Sequence, residues 1–360
     1  MISKTRSSRP TYALVHLENF LYNLEKARYL SKSNIIPIIK ANGYGHGAVP
    51  LAQSAVEKSQ VSIFGVATLE EGVALRKVLP PHIDIILLGY IDPQFYDELL
   101  HHRLIMTIYD YKSAKMYHDF LKRKSKMGKV VVKLNTGMNR LGFEGDFSLM
   151  EFIKSYPLFR IKIVMSHLSS SDSDTKFTAK QIGVFDNFLR RSHINISTSL
   201  FNSSAICNFS NKYFYTRPGI MLYGYVYPCN IELKRVMHVY SRIVQIKSIK
   251  KGEHVGYSDA FIAEKDMKVG VVPIGYGDGY PRVFSNKAHM HIGEYKCHVI
   301  GNICMDMTML DITSVPEALL ENDVEVMGDN VDAMQWGKWA GTICYEVLTM
   351  LSNRVRRVYI

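Results

Sequence analysis

Eight short apolar runs, ALVHL, IIPIIK, SIFGVA, DIILLG, LIMTIY, VVVKLN, IKIVMSH and STSLF, recur between Tyr12 and Tyr227 with longer amphipathic stretches between them. Runs this continuous do not suit a sheet with one wet face. They read as strands buried on both sides, which must be parallel and joined by crossovers. Stretches such as DPQFYDELLHH and AKQIGVFDNFLRR have the helical pattern that supplies those crossovers. Eight βα units confine the chain to an α/β architecture, and the expected form is an eight-stranded (β/α)8 TIM-type barrel. The alternative, a doubly wound open sheet, normally has fewer strands and a G-x-G-x-x-G loop after the first; no such loop is present.

Beyond Tyr227 the pattern changes. SRIVQIKSIKKGEHVGY, KVGVVPIGYGDGY and KCHVIGNICMDMTMLDI alternate strand-like residues with glycine turns, which fits an all-β domain. The expected division is a barrel over 11–228 and a β domain over 229–360, with residues 1–10 as a short arm packing with the second. A late helix is expected over 342–351, with Ile343, Val347 and Met350 on one face.

A chain of 360 residues with 47% hydrophobic content can bury a core in each of two domains. Its N-terminus is basic and serine-rich but leads into no apolar signal segment, and runs such as IDIILLGYI are too short for a membrane span. Five cysteines, Cys207, Cys229, Cys297, Cys304 and Cys344, form no C-x-x-C pair and leave an odd one out, which fits a reducing compartment and neither a disulfide framework nor a metal site. A cytosolic protein is expected. The formal charge of +11 raises nucleic-acid binding, yet the basic run KRKSK has no aromatic-interleaved motif beside it. An attraction for anionic small molecules is what remains.

Lys40 closes the apolar run IIPIIK and opens the glycine-rich segment ANGYGHG. An amine at the C-terminal edge of a buried strand can lose part of its ammonium character to desolvation, freeing its lone pair to form a Schiff base. Gly43, Gly45 and Gly47 would then let the backbone approach a bulky ligand. The physics of the segment leaves a snorkelling lysine before an ordinary loop equally open. Barrel enzymes build their sites from several strand ends. At those ends stand Asn135 and Arg140 after VVVKL, His167 after IKIVMS, Asn202 and Ser203 after STSLF, and Arg217, Pro218 and Gly219 after the next run.

K-A-N-G-Y-G-H-G closely resembles the pyridoxal-phosphate lysine motif of alanine racemases. KLNTGMNRLGF, MSHLSS, FNSSA, TRPGIMLYG, HVGYSDAF, IGYGDGY and GNICMDM resemble further motifs of that family in order, over nearly the whole chain. The resemblance implies a fold-type III enzyme that interconverts L- and D-alanine for peptidoglycan and works as a head-to-tail homodimer. By the same resemblance Lys40 holds pyridoxal 5'-phosphate and serves as one acid/base group, with Tyr257 as the other. His167 stacks on the cofactor ring and touches that tyrosine, and Arg217 meets the pyridine nitrogen. Tyr44, Ser203 and the amides of Gly219 and Ile220 face the phosphate, beside Asn202. Arg140 meets the phenolic oxygen and the substrate carboxylate, Met305 also faces the carboxylate, and Tyr276 and Asp306 line the entrance.

Lys133, seven residues before Arg140, matches a lysine that is carbamylated in some family members; a snorkelling lysine is the plain alternative. One departure stands out. The family often places a phosphate-facing tyrosine just before a C-terminal R-V-P-R, and this chain has Asn353 before R-V-R-R. The smaller amide leaves room for a hydroxyl, so a broader alanine/serine racemase is the first alternative function. A fold-type III decarboxylase or a non-catalytic pyridoxal-phosphate-binding barrel is a weaker match, and the latter lacks the second domain.

Overall fold

The computed structural model of the chain describes residues 8–192 and 195–360. It forms two compact units, one comprising Asn19–Gly43 and Ala48–Lys234, the other the N-terminal residues up to Glu18 with Tyr44–Gly47 and Arg235–Ile360.

The first unit is a barrel of eight parallel strands: Asn34–Ile35, Ile63–Val66, Asp84–Leu87, Ile105–Ile108, Gly128–Lys133, Phe159–Met165, Ser197–Ser199 and Tyr215–Thr216. Ile63–Val66 and Ile105–Ile108 are buried at every position, as strands covered on both faces must be. The ring closes through IIPIIK. On one side Ile36 and Ile38 donate to the carbonyls of Thr216 and Pro218 at 2.9 and 3.0 Å; on the other, Ile39 donates to Gly65 and Gly65 to Pro37, both at 3.0 Å. Pro37 has no N–H to give, and the ladder uses only its carbonyl. Crossover helices cover the outside. Tyr111–Arg123, for example, starts at Asp110, whose carboxylate accepts the Ser113 N–H at 2.6 Å, and buries Ala114, Tyr117, Phe120 and Leu121.

One expected barrel strand belongs elsewhere. ALVHL supplies Tyr12–Val15, which pairs antiparallel with Met237–Ser241 and parallel with Arg356–Tyr359 in the second unit. Its burial alternates, with Ala13 and Val15 covered and Tyr12 and Leu14 half-covered. That is the pattern of a sheet with two unlike faces, hidden in the sequence because every side chain in the run is large or apolar. The eighth barrel strand is the two-residue Tyr215–Thr216 before Arg217.

The second unit holds a six-stranded sheet, in the order Tyr295–His298, His289–Ile292, Val324–Met327, Met237–Ser241, Tyr12–Val15 and Arg356–Tyr359. A three-stranded sheet runs Gln245–Ile249, Met267–Val272, Thr308–Asp311. The late helix is shorter than expected, at Cys344–Met350. Val347 is buried as its period requires, but Ile343 caps the helix and is exposed. An additional helix, Ala333–Ala340, ends at Gly341 in the left-handed conformation, so the two residues before Cys344 form a turn. Among the described residues no helix is long and apolar enough to cross a membrane.

Of the N-terminal arm, residues 1–7 lie outside the described residues. Arg9 makes a two-pronged bond to the fully buried Asp278, at 2.7 and 2.8 Å. Asp278 is also 3.4 Å from Arg354 and accepts the Gly275 N–H at 3.1 Å. A buried carboxylate deprived of its bidentate partner retains its desolvation penalty. Arg9→Ala is therefore expected to lower stability by about 2 kcal/mol, read as a shift of the chemical denaturation midpoint at constant slope.

Candidate active site

Lys40 follows directly on the barrel seam, and the chain then turns the unusual way. Ala41, Asn42 and Gly43 have φ/ψ of 51/50, 52/48 and 62/47°, and Tyr44 has φ of 50°. Four successive residues are left-handed, and three carry a Cβ. Each of those three costs about 1–2 kcal/mol relative to an ordinary turn. Local bonds hold the turn. Gly43 donates to the Ile39 carbonyl at 2.8 Å, Ala48 to the Asn42 side chain at 3.0 Å, and Ala41 to Glu71 at 2.6 Å. Two glycines of this segment make room for protein. A Cβ on Gly45 would lie 2.2 Å from the Leu348 carbonyl oxygen, and one on Gly47 would lie 2.0 Å from the Tyr359 hydroxyl. Tyr44 is buried, which pushes its phenol up to about 12, and its ring lies 6.1 Å from that of Tyr345.

The ends of the other barrel strands bring positive charge into one place. Lys133 is 7% exposed, and burial, followed by the fields of Arg140, Arg217 and Lys40, lowers its amine to about 8. Lys40 is half-buried; desolvation lowers its pKa first and Arg140 next, with Glu71 acting the other way. Arg217 is 4% exposed, and burial brings its guanidinium down to about 10, still charged at neutral pH. Among the described residues it pairs with no carboxylate, the plain alternative for a loop arginine. It donates instead to the Ser199 hydroxyl at 2.5 Å, to the Ser166 carbonyl, and towards Nδ1 of His167 at 3.3 Å. Desolvation and then Arg217, Arg140, Lys133 and Lys40 depress the pKa of His167 well below the usual imidazole value. A neutral imidazole accepting at Nδ1 carries its proton on Nε2.

Beside this cluster the Ser203 hydroxyl accepts the backbone N–H groups of Gly219 at 3.0 Å and Met221 at 3.3 Å, leaving its own hydrogen to donate. Ile220 opens the short helical turn Ile220–Tyr223. Asn202 is committed to structure. It caps the next helix by accepting the Ala205 N–H, accepts the Ser171 hydroxyl at 2.7 Å and donates to the Leu168 carbonyl.

The remaining sequence-derived residues lie in the second unit. Tyr257, Tyr276, Met305 and Asp306 line one groove of about 730 Å³ together with His254, Lys247 and Gln245. Tyr257 is 69% exposed. It sits between Gly256 at φ 77° and Ser258 at φ 61°, and its carbonyl accepts from the Asn302 amide at 2.9 Å. Asp306 accepts from Arg354 at 2.5 Å, and Asn353 beside that arginine is exposed.

Family models for the alanine racemase N-terminal and C-terminal domains match residues 15–228 and 236–359. Alanine racemase 1 of Clostridium acetobutylicum is 37% identical across 99% of this chain and 96% of its own. The solved alanine racemase of Clostridium difficile 630 superposes with a TM-score of 0.91 at 30% identity, covering 99% of this chain and 97% of the other. That of Bartonella henselae, with covalently bound pyridoxal phosphate, gives 0.89 at 27% identity over 98% and 99%. The chain belongs to the alanine racemase family.

It is accordingly an isomerase, and the alanine racemases it belongs with are pyridoxal-phosphate-dependent. The barrel residues suit that cofactor. Four cations and a neutral histidine converge with serine and backbone donors, and Glu71 brings a carboxylate whose field reaches Lys40. Sequence reading missed three supports of this racemase site. Glu71 lies within an unremarkable helix start; Ser199 and Ser166 are small polar residues that become partners of Arg217 only when strands adjoin.

The charge cluster makes a measurable claim about the cofactor-free protein. Trace labelling of amines across pH should find Lys133 half-reactive near pH 8 and Lys40 below ordinary lysines, because a depressed pKa enlarges the neutral fraction. Arg140→Gln removes a depressing charge from both, and both midpoints should move up.

Proposed function

We propose that the chain interconverts L- and D-alanine by a two-base mechanism in which Lys40 and Tyr257 act on opposite faces of the substrate Cα. The observation that carries this reading is the cluster at the barrel strand ends, where the buried Lys133 and Arg217, the half-buried Lys40 and the exposed Arg140 bring positive charge together, which suits an anionic cofactor with an anionic substrate. Bound pyridoxal phosphate supplies a carbonyl carbon for attachment to an amine and a conjugated ring that takes up the electron pair left when Cα loses its proton.

The chain's own groups do the rest. Lys40 Nζ, whose pKa is lowered by burial and then by Arg140, is the amine that would bind the cofactor and take a proton from one face. Tyr257 Oη returns a proton to the other face, and the roles exchange in the reverse direction. Ser203 and the amides of Gly219 and Ile220 hold the phosphate, together with Tyr44. Arg217, which stays charged at neutral pH, would offer the ring nitrogen an N–H and so would hold that nitrogen as an acceptor. Arg140 and the backbone at Met305 orient the substrate carboxylate, and Tyr276 and Asp306 shape the entrance.

Tyr257 is proposed to serve the Lys40 of a second copy, in a homodimer with composite sites. Its exposure in a single chain, on the wall of an open groove, supports that arrangement. Lys133 is proposed to react with carbon dioxide, its amine forming a carbamate with release of one proton and giving Arg140 an anionic partner. An amine near 8 has the neutral fraction this step requires. The D-alanine formed would serve cytoplasmic peptidoglycan precursor synthesis.

Lys40→Ala should abolish both catalysis and the visible absorbance of the lysine-linked cofactor. A borohydride-fixed cofactor found on another lysine would sink the assignment. Asn353→Tyr should raise the preference for alanine over serine; an unchanged ratio of kcat/KM for the two counts against a role for Asn353. Mixing Lys40→Ala with Tyr257→Ala subunits under exchange should restore roughly a quarter of wild-type activity, since about half the dimers are mixed and each has one intact site. If mass spectrometry confirms exchange while activity stays at the single-variant level, the composite site is wrong.

A further inference from the structure

The left-handed turn after Lys40 is not held by its own local bonds alone. Gly43 is the one residue of 41–44 with no Cβ penalty, so the conformation of Ala41, Asn42 and Tyr44 has to be imposed by partners. Glu71 comes from a different βα unit, at the third position of the helix Leu69–Arg76. Its two carboxylate oxygens are divided between two strand ends. Oε1 accepts the Ala41 N–H at 2.6 Å, while Oε2 accepts the N–H groups of Ala67 at 2.7 Å and Thr68 at 3.3 Å. The carboxylate thus ties the residue after Lys40 to the end of the neighbouring strand Ile63–Val66, across the seam where Ile39 and Gly65 pair. It is also a negative charge close enough to act on the lysine, among cations that act the other way.

We propose that Glu71 is a positioning residue for Lys40: it clamps the strained turn that aims the lysine amine and is the carboxylate that offsets part of the surrounding positive charge. The proposal rests on the reading of Lys40 as the cofactor lysine. It assigns Glu71 a function beyond capping its own helix, which Thr68 shares through its hydroxyl, an acceptor for the Glu71 N–H at 3.4 Å.

A glutamine at this position has one acceptor oxygen, and its amide hydrogens would face an N–H at either end of the clamp. In E71Q the cofactor-free protein should lose affinity for pyridoxal phosphate by about tenfold or more, since the released turn no longer presents the amine. In the same protein the labelling midpoint of Lys40 should fall, since the charge opposing the cations is gone. The double variant E71Q/A41G separates the two effects. Glycine adopts the left-handed conformation without penalty, so affinity should recover while the labelling midpoint stays low. The double variant also serves if E71Q alone does not fold. Thr68→Ala weakens the helix cap but leaves the carboxylate in place, and should leave the Lys40 midpoint at its wild-type value.

Wild-type affinity and wild-type labelling in E71Q would overturn the proposal. So would equal losses of affinity in E71Q and Thr68→Ala, which would reduce Glu71 to a helix cap. Borohydride fixation of pyridoxal phosphate in the wild-type protein checks the underlying reading separately: a cofactor fixed elsewhere than Lys40 refutes that reading, while the labelling of Lys40 still tests the clamp.

Discussion

The mutual repulsion of Lys40, Lys133, Arg140 and Arg217 at one end of the barrel is the constraint to which the rest of the site answers. Charges withdrawn from water are ordinarily paired, because neither desolvation nor like-charge repulsion is otherwise compensated. Here burial and then neighbouring cations bring Lys133 to about 8, burial brings Arg217 to about 10, and desolvation and then Arg140 lower the Lys40 amine. The barrel makes this tolerable. Its parallel strands fix the starting points of Lys133, Lys40 and Arg217 through the ladder of backbone bonds, while Arg140 stands in the exposed loop after Lys133. An anionic ligand would supply a partner, and desolvation together with the same positive field depresses the pKa of His167 and lowers that of the Lys40 amine.

That economy explains the hydrogen bonding of Arg217. A guanidinium in the core with a carboxylate partner would be electrically satisfied and of little use to a ligand. Bonded to a hydroxyl, a carbonyl and an imidazole nitrogen, it is fixed in direction but not neutralised. Ser203 follows the same logic with backbone donors: it accepts two N–H groups and keeps its hydrogen to give.

Most of the barrel and the strand-end residues were legible in the sequence, because full burial leaves a plain mark, a continuous apolar run ending in a polar side chain. The failures have equally definite causes. ALVHL carries the same mark, yet its Tyr12–Val15 strand joins the six-stranded sheet; what separates it from a barrel strand is alternation of burial, and alternation is invisible when both faces bear large apolar groups. The strand before Arg217 is only two residues long, and two residues carry no period. The late helix was drawn too long because Gly341 reads in sequence as one more small residue, whereas in the fold it is the left-handed stop of a separate helix. Partners such as Ser199 and Glu71 lie in different βα units from the groups they serve, and no local pattern connects them.

The turn after Lys40 shows why a site of this kind can be conspicuous in sequence and still be misread. Its glycines suggested a loop cleared for a ligand, but Gly45 and Gly47 face the protein's own C-terminal residues, and the ligand-directed consequence falls on the non-glycine positions between them and the lysine. A run of left-handed residues with side chains persists only where surrounding structure over-determines it. Here that structure includes a seam hydrogen bond, an asparagine side chain and a carboxylate from the next βα unit. The position of the lysine is therefore a property of the closed barrel as a whole, and its chemistry depends on residues that touch it only through the backbone.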